Sequence, residues 1–344
     1  MNQLNLPEKK QPFLPKNLGK LIFVLLILLV GTIIASIAFG SRSIGWSAIL
    51  DGLFHPDMLD HEALVVRQRI VRTIFSFMCG AALGVSGALM QSVTRNPIAD
   101  PSILGVNTGA SLFVVSGIAF FNTTTANEYV WLAIAGAIVT AIFVFTIGSL
   151  GYNGATPLKL VLAGAATSAI LSSLVTAIMI PRQNVMDQFR FWQVGSVGAG
   201  TWDSIHLMLP FLIVGIIVAM LTAPALNTLA LGDEVATGLG VNTGVIRLAA
   251  AFGGVILCGA ATAFAGPIGF IGLLATHLIR LIIGPDLRFV IPLSALSGGI
   301  ILTIADVAGR LIARPAEVEV GILTAFIGAP ILIYITMKAK MRSL

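Results

Sequence analysis

Long apolar runs separated by short polar breaks follow one another along the whole chain. Each run contains roughly 18 or more residues, the length that a helix needs to cross about 30 Å of hydrocarbon. The polar breaks divide the chain into approximately these helical segments: residues 19–40, 68–91, 102–120, 129–149, 158–180, 205–223, 243–265, 268–284, 289–311 and 321–338. The pattern therefore predicts an all-α polytopic membrane protein with about ten transmembrane helices.

The boundary between the seventh and eighth of these segments is the least defined, because it falls at Gly266-Pro267. A Gly-Pro step breaks a helix, but the break does not by itself show that the chain reverses direction. The sequence therefore leaves open whether residues 243–284 form two crossings or one interrupted helix.

Composition agrees with this pattern and excludes a water-soluble fold. Hydrophobic residues make up 57% of the chain and charged residues only 10%, which does not suit the surface of a soluble domain. The first apolar run is too long for a secretory signal and lacks a small-residue cleavage site, so we retain it as a transmembrane helix. The predicted organisation is a single transmembrane domain at residues 19–338 between tails at residues 1–18 and 339–344.

Basic residues indicate how the helices are oriented. Lysines precede the first helix, and Lys338 and Lys340 end the last one, so the positive-inside rule places both tails in the cytoplasm. Arg69 and Arg72 fall at the outer end of the second helix, against this bias, and so call for a specific reason. The net charge of +5 is scattered over loop ends, which indicates contact with lipid headgroups rather than with nucleic acid.

Acidic residues are nearly absent from the predicted helices. Asp306 is the exception, and Arg310 four residues later is expected to neutralise it as a helical pair near the outer interface. Proton- and sodium-driven carriers usually need ionisable groups near the bilayer midplane. The sequence therefore argues against ion-coupled transport, which stays open only as an alternative.

Motifs for catalysis and nucleotide binding are missing from the sequence. It contains no G-x-x-x-x-G-K-[ST] loop to hold nucleotide phosphates, and neither H-E-x-x-H nor G-x-S-x-G. Its 4 histidines are dispersed and form no cluster of metal ligands. We therefore predict that the chain is not an enzyme and binds no cofactor or metal, so that any ATP and magnesium belong to another subunit.

One predicted cytoplasmic stretch, residues 226–242, has a composition unlike that of a simple connector. It is polar, contains acidic residues and is punctuated by Gly232, Gly238 and Gly240. This composition is compatible with short helices parallel to the membrane, a geometry that suits docking onto a soluble partner. A surface linker is the alternative that spacing alone leaves open.

Several blocks of the sequence resemble one family of transport proteins. RIVRT at residues 69–73 and CGAALGVSGALMQSVTRNPIADPSILGVNTGA at residues 79–110 resemble the second and third helices of FecCD-family permeases, which import iron-siderophores, haem and cobalamin. The resemblance continues through LALGDEVATGLGVN at 229–242, GPIGFIGLLATHLIRLIIGPDLR at 266–288 and ADVAGRL at 305–311.

The resemblance implies the transmembrane permease subunit of an ABC importer for ferric siderophores in a bacterial cytoplasmic membrane. Haem and cobalamin are the alternative cargoes. It also implies a second permease subunit, identical or paralogous, two cytoplasmic ATPase subunits that bind ATP and magnesium, and an extracytoplasmic substrate-binding protein. An ion-coupled secondary transporter is less favoured, because no midplane carboxylate or unwound helix is visible in the sequence.

Three groups of residues are then predicted to carry the function. The resemblance assigns coupling to the ATPase to Leu231, Gly232, Asp233, Glu234, Gly238, Leu239 and Gly240. Pro97 and Pro101 stiffen the turn at residues 95–101, so we predict a cytoplasmic gate formed by Asn96, Pro97, Ile98, Thr156 and Pro157. Arg69, Arg72 and Arg310 are predicted to receive acidic side chains of the binding protein.

Overall fold

The chain folds as a bundle of helices in the residues that the computed structural model describes, which are 17–42, 44–55, 60–151 and 156–341. The first helices are α1 (Leu18–Ala38), α2 (Trp46–Phe54), α3 (His61–Thr94), α4 (Val106–Phe121), α5 (Ala126–Ser149) and α6 (Pro157–Met179). They are followed by α7 (Gln183–Gln193), α8 (Trp202–Leu229), α9 (Asp233–Gly238), α10 (Thr243–Ala265), α11 (Ile271–Ile283), α12 (Leu287–Ile312) and α13 (Val320–Met341). A 3-10 turn, Pro101–Leu104, precedes α4.

Every predicted crossing corresponds to one of these helices. Within the described part of the chain, 7 helices are long and apolar enough to cross a membrane, namely α1, α3, α5, α6, α8, α10 and α12. The remaining predicted crossings are occupied by the shorter apolar helices α4 and α11 and by the apolar stretch Val320–Ile333 of α13. The predicted fold class, an all-α polytopic membrane protein, is confirmed.

Helix α3 is the centre of the bundle. It has 34 residues, corresponds to about 51 Å of helix, and packs against α8, α10, α11 and α12. Its glycines form the contact with α12, because a Cβ at Gly80 would overlap the carbonyl oxygen of Gly298 and one at Gly84 would overlap that of Ser294. Such small residues let helix backbones approach closely in lipid.

Two short helices of the described residues, α2 and α7, lie between the predicted crossings and are not predicted by apolar runs. A third, α9, lies in the segment at 226–242, whose composition is compatible with short helices. All three are shorter than a membrane crossing requires. Helix α3 begins at His61, before the predicted start at residue 68. The charged Arg67 and Arg69 interrupt the apolar run on which the prediction was based, whereas the helix includes both residues.

The structure resolves the ambiguity at Gly266-Pro267. Helix α10 runs antiparallel to α3, because Arg247 lies near Arg95 through a shared carboxylate and the Ser86 hydroxyl donates to the carbonyl of Gly254. Helix α11 runs parallel to α3, since Thr276 bonds to Gly84 and Arg280 to Ser92. The chain therefore reverses across the non-helical residues 266–270 and makes two crossings, with α11 starting three residues later than predicted.

Candidate functional site

The predicted site residues gather at the two ends of the bundle. One end, which we call the Arg72 end, contains the loop after α1, the first half of α3, and the end of α12. The other, which we call the Asp233 end, contains the end of α3, helix α9, the start of α10 and the turn at residues 284–288. The coupling residues and the gate residue Asn96 lie at the Asp233 end, and the three predicted docking arginines lie at the Arg72 end.

Asp306 holds two arginines at the Arg72 end. Arg310 forms the predicted helical pair with it, with Nη2 3.0 Å from Oδ2. Arg72 of α3 donates to the same carboxylate from Nη2 at 2.7 Å, and its Nη1 donates to Glu317 at 2.7 Å. Sequence reasoning missed both Arg72 contacts, because no local spacing relates residues so distant in the chain. The result is an ionic connection between α3, α12 and the loop that follows α12.

Arg69 caps the end of α1. Its Nη1 donates to the carbonyls of Ile37 at 3.0 Å and Ala38 at 3.1 Å, and its Nη2 donates to that of Arg42 at 2.6 Å. The last carbonyls of a helix lack intrahelical partners, so a guanidinium with several parallel donors satisfies them well. Arg69 is only 6% exposed and is therefore committed largely to this contact.

Arg310 caps the same helix from the other side. Its Nη1 donates to the carbonyls of Ser36 at 3.0 Å and Phe39 at 3.1 Å, and its Nη2 donates to the Ser36 hydroxyl at 2.8 Å. Arg310 is 2% exposed. The end of α1 is thus held by two buried guanidinium groups, one from α3 and one from α12.

A cavity of about 340 Å³ opens at this end, and all three predicted docking arginines contribute to its wall. The other polar residues of the wall include Arg42, His61, Gln68 and Glu317. The side chain of Arg72 is 17% exposed and that of Glu317 is 33% exposed. Arg72 is therefore the most accessible of the three arginines, and their role in docking stays a prediction.

The first predicted gate turn is tightly hydrogen-bonded. Asn96 accepts the backbone N–H of Ile98 with its side chain at 3.1 Å and that of Ala99 with its carbonyl at 3.1 Å. Ile98 is exposed, with 38% of its surface accessible. The turn thus presents an apolar side chain from a stiff support.

The second predicted gate turn is described only in part, because residues 152–155 lie outside the described residues. Thr156 is the N-cap of α6 and accepts the backbone N–H of Lys159 with its hydroxyl at 3.4 Å. Pro157 occupies the first helical position, where its missing N–H costs no hydrogen bond. These two residues therefore define where α6 begins.

Asp100 is a residue of this region that sequence reasoning overlooked. Its carboxylate accepts the backbone N–H of Ser102 at 2.9 Å and lies beside the backbone of Phe270. Phe270 has a left-handed backbone, with φ of 69°, in the non-helical stretch before α11. The carboxylate therefore joins the turn before α4 to the break before α11. The TRNPIADP motif was the signal available in the sequence.

The predicted coupling segment forms a short helix bounded by glycines. Helix α9 starts after Gly232, with φ of 120°, and is followed by Gly240, with φ of 81°. Both conformations are strained for residues that carry a Cβ. Leu231 just before α9, Val235 within it and Leu239 just after it are 67%, 48% and 66% exposed. These exposed apolar residues, which we call the α9 stripe, are not packed against the bundle.

Asp233, the first residue of α9, accepts hydrogen bonds from two arginines. Arg247 Nη2 lies 2.8 Å from Oδ1 and 2.9 Å from Oδ2, and the Nη2 of Arg95 also donates to Oδ1. Partial burial opposes ionisation, but the hydrogen bonds and charges of Arg247 and Arg95 outweigh it and hold the pKa of Asp233 below its usual value. Asp233 is therefore ionised at neutral pH.

This architecture is that of a polytopic membrane permease, and the chain belongs to the FecCD transport family, which matches residues 26–338. The resemblance noted in the sequence is thereby confirmed. The chain is 40% identical over 316 residues to the ferric enterobactin transport system permease protein FepD of Escherichia coli (strain K12), covering 92% of this chain and 94% of that protein.

Two further similarities extend over nearly the whole chain. It is 37% identical over 314 residues to the "Probable siderophore transport system permease protein YfiZ" of Bacillus subtilis (strain 168), covering 91% of this chain and 94% of that protein. A solved structure described as an "inward-facing conformation" of a "metal-chelate type ABC transporter" superposes with a TM-score of 0.80 at 25% identity, covering 93% of this chain and 99% of that one.

Proposed function

We propose that this chain is the transmembrane permease subunit of an ABC importer that moves ferric siderophores across the bacterial cytoplasmic membrane. The observation that carries the proposal is the full-length similarity to permeases named for ferric enterobactin and siderophore transport. ATP is hydrolysed by a separate subunit, since the sequence has no phosphate-binding loop of its own. The Asp233 end and both termini face the cytoplasm, as the terminal lysines indicate.

The α9 stripe docks onto the ATPase subunit. A short helix flanked by exposed apolar side chains fits a hydrophobic groove on a partner. Leu231, Val235 and Leu239 supply the apolar contacts, and Gly232 and Gly240 shape the two ends of the helix. Glu234 adds a charge in the first turn. An exposed stripe of this kind on a cytoplasmic surface is stabilised when a partner covers it.

The cavity at the Arg72 end receives an acidic side chain of the binding protein. Arg72 is the most accessible of the three predicted docking arginines there, and Glu317 accepts a hydrogen bond from its guanidinium. An incoming carboxylate competes with Glu317 for the Nη1 donor of Arg72, while Asp306 keeps Arg72 in place. Arg69 and Arg310 support the wall of the cavity through the end of α1.

The two turns that contain Asn96 to Ile98 and Thr156 to Pro157 form the cytoplasmic gate. Ile98 presents its side chain outwards, and a second permease subunit brings a second copy of the gate to the pathway.

The test is transport by the reconstituted complex. The permease is placed in vesicles with its cognate ATPase and binding protein, and uptake of a ferric siderophore is measured with and without ATP. We expect ATP-dependent uptake that stops when Gly240 is replaced by Arg, because this change adds a bulky charged side chain where φ is 81°.

Gly19→Arg in α1 is the matched control for this substitution. Nothing lies within 4 Å of a Cβ at Gly19, and its φ lies outside the left-handed region, so uptake should persist. Uptake driven by an ion gradient in the absence of ATP would instead support a secondary transporter. Preferential uptake of haem or cobalamin would show that the proposed cargo is wrong but that the chain is still the permease of an ABC importer.

A further inference from the structure

Arg95 lies where the coupling segment meets the gate. It is the residue that follows α3, and its backbone is left-handed, with φ of 49°. Its guanidinium reaches across to α9 and α8, donating to the Asp233 carboxylate and to the carbonyl of Leu229 at 2.6 Å. The next residue in the chain is Asn96, the first of the predicted gate residues.

The Arg95–Asp233 contact is fixed in position at Asp233. Arg247 of α10 is only 5% exposed and binds both oxygens of the Asp233 carboxylate. The carboxylate is thus held by a buried cation of the bundle, and the Arg95 guanidinium attaches to a carboxylate of defined position. A displacement of α9 therefore moves the point to which Arg95 is bound.

The backbone between Arg95 and the gate residue Ile98 is also fixed by hydrogen bonds. The backbone N–H of Asn96 donates to the carbonyl of Gln91 in the last turn of α3, at 3.2 Å. The Asn96 side chain then accepts the N–H of Ile98 at 3.1 Å, and Pro97 between them has a restricted φ. No flexible linker separates Arg95 from Ile98, so a pull on the Arg95 side chain is transmitted to Ile98.

We propose that the Arg95–Asp233 ion pair is the link that transmits movement of α9 to the gate turn. This inference rests on the proposed function, because it assumes that an ATPase moves α9. Arg95 and Asp233 act as positioning residues, which touch neither cargo nor nucleotide. Their side chains are 33% and 45% exposed, and pairs at that level of exposure contribute little to folding. Removing the pair should therefore disconnect the two elements without unfolding the protein.

The experiment is a double-mutant cycle in the reconstituted complex of permease, ATPase and binding protein. Arg95→Gln, Asp233→Asn and the double variant are compared with the parent for siderophore molecules taken up per ATP hydrolysed. A second readout is the nucleotide-dependent reactivity of a cysteine placed at Ile98 towards a water-soluble thiol reagent. The native Cys79 and Cys258 are buried and should not react.

The matched control is Arg288→Gln. Arg288 also pairs with an aspartate, Asp286, at the Asp233 end, with Nη2 2.9 Å from Oδ2, but both residues belong to the same turn. This pair joins no element to the gate turn. The control should leave both readouts within about twofold of the parent, because an exposed pair of this kind contributes little.

Each single variant of the cycle should lower uptake per ATP by about tenfold, equivalent to 1.4 kcal/mol of coupling, with the ATPase still bound. Asp233→Asn removes the contact with Arg95 and also that with Arg247. The double variant should therefore be no worse than Asp233→Asn alone, because that substitution already removes the contact that Arg95→Gln removes. Arg95→Lys should recover part of the coupling, since it retains the charge but loses the planar fork. Losses that multiply in the double variant, or normal uptake per ATP in Arg95→Gln, would overturn the proposal.

The second readout separates this inference from the proposed function. If the parent takes up no siderophore but nucleotide still changes the reactivity at position 98 in the parent and not in Arg95→Gln, the link stands and the cargo assignment fails. If the parent takes up siderophore while the nucleotide-dependent reactivity is unaltered in Arg95→Gln, the importer stands and the link fails.

Discussion

The guanidinium of Arg72 donates to both carboxylate oxygens of Asp306, from Nε at 3.0 and 3.2 Å and from Nη2 at 2.7 Å. This bidentate contact joins α3 to α12 near their common end. Asp306 is 2% exposed and also pairs with the buried Arg310. One carboxylate therefore compensates two cations in a region of low dielectric, which makes it more consequential than an isolated surface ion pair.

Asp306→Ala should destabilise the protein by about 3–5 kcal/mol, because it leaves the guanidinium groups of Arg72 and Arg310 without their shared counter-ion. Unfolding of the purified protein in detergent measures the change. Asp187→Asn is the control, since its partner Arg190 lies 3.8 Å away and both side chains are more than 60% exposed. Equal stability of the two variants would contradict the structural importance of the buried carboxylate.

Gly298→Ala should loosen the contact between α3 and α12. A Cβ at Gly298 would overlap the carbonyl oxygen of Gly80, and a backbone cannot move aside as a side chain can, so a cost of about 1–3 kcal/mol or more is expected. Gly31→Ala in α1 is the matched control, because nothing lies within 4 Å of its Cβ position. Thermal unfolding of both variants in the same detergent tests the difference, and a destabilised Gly31→Ala would contradict it.

Arg72→Gln should lower the affinity of the permease for the binding protein by about five- to 150-fold, the equivalent of about 1–3 kcal/mol for a charged contact. The difference should shrink at high salt, which screens the charges that remain partly exposed. Affinity measured at two salt concentrations tests this. Arg190→Gln, another arginine variant with an exposed side chain, should bind normally, and an Arg72→Gln variant that binds as tightly as the parent would exclude this docking contact.

Asp233 should make the placement of α9 sensitive to acid. Its pKa is depressed in the folded protein by Arg247 and Arg95 against the effect of partial burial. A depressed carboxyl pKa contributes stability that is fully present above the unfolded value of about 3.9 and is lost as the pH falls through the lower folded value. As the pH falls below about 4, amide hydrogen exchange in α9 should therefore become faster in the parent than in Asp233→Asn. The variant has no carboxylate at this position, so its exchange should lack this acid-dependent increase.

The helical crossings were predictable because the signal for them is local. An apolar run of sufficient length is a property of the run itself, and α1, α5, α6 and α10 appear within a few residues of their predicted bounds. Helix α2 was not predicted because its 9 residues are too few for a crossing, and α7 because its mixed polarity resembles that of a loop. The coupling segment was found through family resemblance, but the α9 stripe emerged only when exposure was known.

The contacts of the predicted docking arginines could be predicted from the sequence only in part. Their position at a helix end was evident from the apolar pattern, as was the pairing of Asp306 with Arg310 four residues later. The sequence held no sign that Arg69 and Arg310 would cap α1, since hydrogen bonds to backbone carbonyls leave no signature in residue types. Arg72 alone remained accessible enough to match the role expected of all three.

The sequence by itself determined the approximate bounds of the apolar segments, because burial of apolar residues in hydrocarbon is decided segment by segment. At Gly266-Pro267 only the tertiary structure decided that the chain reverses direction. Tertiary structure alone decided which charges meet between different helices. Arg72 and Asp306 are 234 positions apart, and Arg95 and Asp233 are 138 apart. Each pair forms only because several helices pack in one register, which for α3 and α12 is determined by the close contact of Gly80 with Gly298. Such contacts depend on the fit of whole helix surfaces, a property that no local stretch of sequence contains.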